Sequence, residues 1–352
     1  MARADLNELS RRIRQGELRL VYVLGVPRAN TTVLCRLIGR RLHGAVYEPA
    51  LPNSAFPGSA YGAKILAAAN LVRAQLPAGD VAVLAVKDMS ALMRPVERTF
   101  VLEHAEHLVF AIREPVAQHD SYARQMLVEF SAGNRFRAFV TAPWETTMYG
   151  LHFGKRLAAY RQLARKRLGV DWKVFRRATS AGANIEFWEE LRAHFEAALA
   201  RLPAGRISVI DAGLSRLAPE AAEIELDAIT ASLGPQKRIG RPVDYAGHTM
   251  MKSASPWAGE AMRAERMLAA EPRRPAASPY KDFDEFLPRI AGTLYPIYLD
   301  LFFHPTHRLR AKFGSALPSS AGGAEGEVMH KLASAQRNEA LSLARESGRI
   351  AA

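Results

Sequence analysis

The chain is poor in cysteine. Its 352 residues hold one, Cys35, so no internal disulfide can form and a reducing, cytoplasmic setting is the expectation. It also lacks long apolar runs. None reaches the roughly 18 residues that a membrane-crossing helix needs. Residues Met1 to Glu8 are polar and mixed in charge, without the apolar stretch of a secretory signal. Acid is scarce relative to base: 35 Asp and Glu stand against 48 Lys and Arg, a formal charge of +13. That balance suits an anionic ligand, whether nucleotide, polyanion or nucleic acid, although an Arg-rich composition alone produces the same sign. Aromatics are 8% of the chain, and neither RNP-like nor zinc-finger spacing occurs. Nucleic acid is therefore not favoured as the main ligand. No His/Cys/Asp cluster has metal-ligand spacing, so no metal is expected, and there is no internal repeat.

What is present is hydrophobic material, 49% of residues, in a regular order. Leu18–Leu24 reads as a strand and Thr31–Leu42 as an amphipathic helix. Val46–Tyr47 is a short strand, Gly62–Gln75 is helical, and Val81–Val86 is a continuous apolar run. Pro95–Ala105 reads as helix, His107–Ile112 as strand, and a helix follows Pro115. Such alternation predicts a mainly parallel α/β sheet covered by helices on both sides. Tyr149–Leu202 is mostly helical and basic, Arg206–Ile210 returns to strand, and Pro219–Leu233 is helical. Lys237–Pro279 is irregular apart from a helical piece near Trp257–Ala269, and Phe283–Phe303 is an apolar helix with a bend expected at Pro296. Residues 1–313 thus read as one domain, with a helical acceptor-side region over about 130–202. Residues 314–352 read as a flexible linker and a helical extension.

Chemistry concentrates where the first strand meets the first helix. A strand that turns through a glycine into a helix offers free N–H groups and a partial positive charge to a phosphate. The ATP-binding form of such a loop is G-x-x-x-x-G-K-[ST]. Here the frame is Gly25, four residues, Asn30, Thr31 and Thr32. Asn30 replaces the second glycine and is the residue type, after glycine, that best tolerates a left-handed backbone. Thr31 replaces the lysine, and Arg28 stands three positions before it. A γ-phosphate has lost its usual cation, while a donor with one 5′-phosphate joined to a leaving group still fits. The bland alternative is a βα turn with Asn-Thr-Thr as a helix cap.

The segment Val26-Pro27-Arg28-Ala29-Asn30-Thr31-Thr32 resembles the 5′-phosphosulfate loop, often P-[KR]-S-G-T-T, of sulfotransferases that use 3′-phosphoadenosine 5′-phosphosulfate (PAPS). The resemblance implies that Pro27, Arg28, Ala29, Asn30, Thr31 and Thr32 line the donor, with Arg28 at the bridging oxygen and the threonines on the 5′-phosphate. Ala29 and Asn30 depart from the usual Ser and Gly. A second match follows. Arg113-Glu114-Pro115 ends a strand and Ser121-Tyr122 begins eight residues after Arg113, similar to the family's R-[DE]-P…S-[YWF] element. That implies Arg113 and Ser121 on a 3′-phosphate. Proline suits a first helical position, and arginine offers phosphate a planar fork.

Glu48-Pro49 resembles the acidic segment after the family's second strand, which implies Glu48 as the base. Lys87-Asp88 resembles its K-[TD]-P segment, which implies Lys87 in the cleft, although Met89 replaces the proline. Gly205–Asp211 and Pro219–Gly234 are similar to the family's late strand and helix. Arg238 and Arg241 lie in a basic loop where relatives close over the 3′-phosphate. The implied fold is a P-loop-type, mainly parallel sheet flanked by helices, with helical insertions and a helical C-terminal extension. The implied activity is transfer of a sulfuryl group to a hydroxyl or amine of a small-molecule or glycan acceptor, without a metal. His119 and His152 are alternative bases. Aromatics Phe136, Phe139, Trp144 and Tyr149 are candidates for the acceptor side, and the extension offers a route to a homo-oligomer. Two rivals stay open: a P-loop kinase, and a nucleotide-binding protein of the same fold without activity.

Overall fold

A computed structural model describes residues 2–51, 61–115, 117–119, 121–123, 151, 154–169, 175–217, 219–234, 236–237, 239–240, 242–246 and 283–307. Its centre is a six-stranded sheet in which every pairing is parallel. The strands are β1 (Leu18–Gly25), β2 (Gly44–Tyr47), β3 (Ala82–Asp88), β4 (Ala105–Ile112), β5 (Ile207–Asp211) and β6 (Val243–Ala246). They are ordered β5-β4-β1-β3-β2-β6. The apolar runs Leu20–Leu24, Val83–Val86 and Leu108–Ile112 are wholly buried, as expected of strands covered on both faces. The α/β sheet flanked by helices expected from the alternation is what the chain forms.

Helices α1 (Ala2–Arg14), α2 (Thr31–Arg41), α3 (Tyr61–Arg73) and α4 (Pro95–His104) accompany the first four strands. Further along come α5 (Leu157–Leu168), α6 (Phe175–Arg201), α7 (Ala212–Leu217), α8 (Pro219–Ala231) and α9 (Phe283–Phe302). The crossover from β1 to β2 runs in one direction along the sheet, and that from β2 to β3 runs back. Right-handed crossovers in opposite directions put α2 and α3 on opposite faces. No helix among the described residues is long and apolar enough to cross a membrane.

Four features differ from the sequence reading. Strand β3 runs two residues further, so Lys87 and Asp88 end the strand instead of following it. The stretch Lys237–Pro279 contributes an edge strand, β6, seated against β2. A side chain at Gly44 would stand 2.3 Å from the Val243 carbonyl oxygen, so this pairing needs glycine there. Helix α1 is polar in composition but lays Leu6 and Leu9 into the core against α3. Helix α7 turns directly off Asp211, which accepts the Gly213 N–H at 2.8 Å. Tyr149, Trp257–Ala269, the aromatic positions Phe136, Phe139 and Trp144, and residues 314–352 lie outside the described residues.

Candidate functional site

All six strands run the same way, so their C-terminal ends share one edge. In register, Leu24 stands beside Asp88, Gly25 beside Ala111, Tyr47 beside Lys87 and Ile112 beside Asp211. Ligands of open α/β sheets bind beyond that edge, and Arg28, Glu48, Lys87, Arg113 and Ser121 lie on or just after the strand ends there.

The loop from Gly25 to Thr31 is tightly specified. A methyl group on Gly25 would stand 2.5 Å from the Thr31 Cγ2 and 2.6 Å from the Ala111 carbonyl. Only glycine lets the turn pass that close to β4. Asn30 takes the left-handed backbone expected of it, with φ 57° and ψ 21°, at the start of α2. It makes no side-chain capping bond to the helix, and the first turn of α2 carries no acid. Asn30 thus starts the helix through its backbone, its carbonyl accepting the Leu34 N–H at 2.9 Å. Arg28 is also left-handed, with φ 68°, which the sequence did not foretell. Ala29 and Thr31 are buried, while Pro27, Arg28, Asn30 and Thr32 keep partial exposure.

Arg28, Arg113 and Ser121 come together. Arg28 Nε donates to Ser121 Oγ at 3.0 Å. Arg113 Nη1 donates to the carbonyl of Arg28 at 3.3 Å. The loop that follows β1 and the strand–helix junction that follows β4 are thus joined by two cations and a hydroxyl. The next residue, Glu114, is buried and splits its carboxylate: one oxygen accepts the Ala117 N–H at 2.7 Å, the other accepts the Tyr295 hydroxyl from α9. Tyr298, one turn on, donates to Asp211 at 3.0 Å, so α9 clasps the ends of β4 and β5.

Gln118 was not singled out by sequence. Its Nε2 donates to the Pro27 carbonyl at 2.7 Å and to Asn184 Oδ1 at 2.8 Å, and its Oε1 accepts from Asn184 Nδ2 and from Trp188 Nε1. A fully buried amide thus ties the loop after β1 to α6 with its hydrogen-bonding capacity used. The available signal was helical spacing, since Gln118 lies four residues after Glu114 and three before Ser121. His119, one residue on, is fully buried and its Nδ1 accepts from Asn184 at 3.0 Å. Burial holds its imidazole down to about 3. A neutral, enclosed imidazole of this kind is structural, and the role of alternative base does not fit it.

Glu48 and Lys87 meet at the end of neighbouring strands. Lys87 Nζ donates to Glu48 Oε1 in an ion pair that leaves Glu48 8% and Lys87 3% exposed. Glu48 is the third non-glycine residue with a left-handed backbone, at φ 50°.

No protein family, curated protein or solved structure matches the chain. The functional reading therefore rests on these side chains. Among the described residues, no group of three or more His, Cys, Asp or Glu could hold a metal ion. Cys35 is buried in α2, and burial raises its thiol, so it is no nucleophile. Arg238, Arg241 and His152 lie outside the described residues.

Proposed function

We propose that the chain is a sulfotransferase that moves a sulfuryl group from PAPS to a hydroxyl or amine acceptor. One observation carries the reading. Arg28 touches Ser121 and is itself held by Arg113. The two motifs whose resemblance implied the 5′ and 3′ ends of one donor are therefore neighbours in space, as a nucleotide with phosphates at both ends requires. The loop fits such a donor. It combines a glycine whose Cβ would fill the turn, two left-handed residues that re-aim backbone N–H groups, and a helix start without acid.

In this reading Gly25 to Thr32 hold the 5′ side, and Arg113 with Ser121 the 3′-phosphate. The donor supplies an activated sulfuryl group. Glu48 takes the acceptor proton at its carboxylate as the acceptor's oxygen or nitrogen bonds to sulfur. Lys87 holds the Glu48 carboxylate in place beforehand through their ion pair. Once Glu48 has taken the proton, the Lys87 ammonium is released to face the transferring group, and Arg28 offsets the charge left on the departing phosphate. The acceptor is a small molecule or glycan, and a cytoplasmic setting goes with the single buried cysteine.

A P-loop kinase is the second reading. Asp88 ends the strand beside β1, where an acid could orient magnesium. Its two oxygens, however, accept the Ala50 and Met89 N–H groups at 3.0 and 2.9 Å, and the residue is fully buried. Calorimetric titration with 3′-phosphoadenosine 5′-phosphate (PAP), paired with radiolabelled PAPS and fractionated cell extract, tests the proposal. Tight PAP binding with label appearing in an acceptor is expected. Binding without transfer points to an inactive relative, and magnesium-dependent ATP binding without PAP binding points to a kinase.

A further inference from the structure

Strand alternation predicts the wrong direction for Glu48. Tyr47 and Lys87 are register partners and share a face of the sheet. An extended Glu48 would point to the other face, where Asp88 lies. The left-handed backbone at Glu48 reverses this and brings its carboxylate onto Lys87. A non-glycine residue keeps such a conformation only when its surroundings over-determine it.

Those surroundings are specific. The Glu48 N–H continues the ladder onto the Lys87 carbonyl at 2.7 Å, and the Leu51 N–H closes the turn onto the Glu48 carbonyl at 3.1 Å. The Ala50 N–H is taken by the Asp88 carboxylate at 3.0 Å. Lys64, wholly buried in α3, donates to the Pro49 carbonyl at 2.9 Å and to the Leu51 carbonyl. Acid and base thus grip opposite ends of the peptide dipoles in one four-residue turn. Together with Glu48 and Lys87 they make two cations and two anions. Neither inner group is comfortable: burial pushes the Asp88 carboxyl up to about 7 and the Lys64 ammonium down to about 8, the latter partly restored by Asp88. Residues that merely filled this space would be better apolar.

We propose that Asp88 and Lys64 are positioning residues for Glu48, holding the Glu48–Leu51 turn so that Glu48 stays left-handed and its carboxylate faces Lys87 and the cleft. The inference rests on the reading of Glu48 as the proton acceptor. It adds two residues that touch neither donor nor acceptor.

The test compares Asp88→Asn and Lys64→Met in the full chain. Both variants are expected to bind PAP within about threefold of the unaltered protein, because the donor grip lies on the β1 and β4 loops. Transfer of label from radiolabelled PAPS to the cell-extract acceptor fraction is expected to fall roughly ten- to hundredfold, mainly in kcat, as the turn relaxes. In a Glu48→Gln background, Asp88→Asn should add less than about twofold, since both changes act through one carboxylate. Crystal structures of the variants should show residue 48 back at negative φ. Full additivity with Glu48→Gln, or an unchanged left-handed residue 48 in both variants, overturns the proposal. Should Asp88→Asn fail to fold, Lys64→Met carries the same comparison. If the unaltered protein binds PAP but transfers nothing, the sulfotransferase reading fails, and the backbone at residue 48 in the variants still decides the positioning role.

Discussion

The Nε of Arg28 donates to the hydroxyl of Ser121 at 3.0 Å across a sequence separation of 93 residues. A single side chain so links the loop after β1 to the helical residues after β4, and it keeps enough exposure to reach a ligand. Arg28→Ala is expected to lower sulfuryl transfer by about a hundredfold or more, the scale of losing one preorganised charge contact in a transition state. The melting temperature should change little, because the residue is not part of the core. Arg28→Lys restores the charge but not the planar fork, and only partial recovery is expected. Transfer of label from PAPS checks both, and near-normal activity of the alanine variant would remove the loop from the site.

Ser121 and Arg113 make a different claim, about the 3′-phosphate. Calorimetry should find PAP bound more tightly than adenosine 5′-phosphate, which lacks that group. In Arg113→Ala the preference is expected to shrink by roughly ten- to hundredfold, the worth of a charged hydrogen bond. The weaker nucleotide should be affected much less. Equal losses for the two ligands would count against the assignment.

Gly25 tests the loop's shape. Its missing side chain would collide with the Thr31 methyl and with the Ala111 carbonyl, which belongs to a central strand and cannot yield. Gly25→Ala is expected to destabilise the fold by about 1–3 kcal/mol and to abolish PAP binding. Chemical denaturation and calorimetry read the two effects separately.

Acid stability follows from His194 in α6. The residue is buried, with Ser90 Oγ 3.2 Å from its Nδ1. Burial, with Arg98 nearby, holds its imidazole down from 6.5 to about 4. The folded value lies below the unfolded one, so the neutral ring contributes stability above pH about 6.5 that is lost as pH falls towards 4. Replacing it with glutamine should flatten the fall in stability over that window by an amount on the order of 3 kcal/mol. Unfolding curves at several pH values measure it, and an unchanged slope would mean the ring is not held neutral.

The first half of the sheet was legible because buried parallel strands leave continuous apolar runs such as Val83–Val86, and helices between them leave a different period. A four-residue strand with an acid inside it leaves almost none. Strand β6 was missed because Val-Asp-Tyr-Ala is too short to show a pattern, and its place is set by backbone contact with β2 at Gly44. Helix α1 was missed because few of its residues are apolar, and two leucines suffice to dock it. In the site, the expected left-handed Asn30 was readable from residue type. Arg28 and Glu48 were not, since neither type favours that backbone, and each is held there by distant partners.

The sequence by itself determined the alternation of strand and helix, the glycine-bearing loop with its missing lysine, and the spacing between Arg113 and Ser121. These are local properties, set by periodicity, backbone freedom and neighbours a few residues apart. The tertiary structure alone decided which of them face one another. It brought Arg28 to Ser121, turned Glu48 onto Lys87, enclosed His119 away from solvent, and buried Lys64 and Asp88 beneath a turn that neither belongs to. The reason is physical: parallel strands far apart in sequence end at one edge, and side chains there interact through distances that no periodicity records.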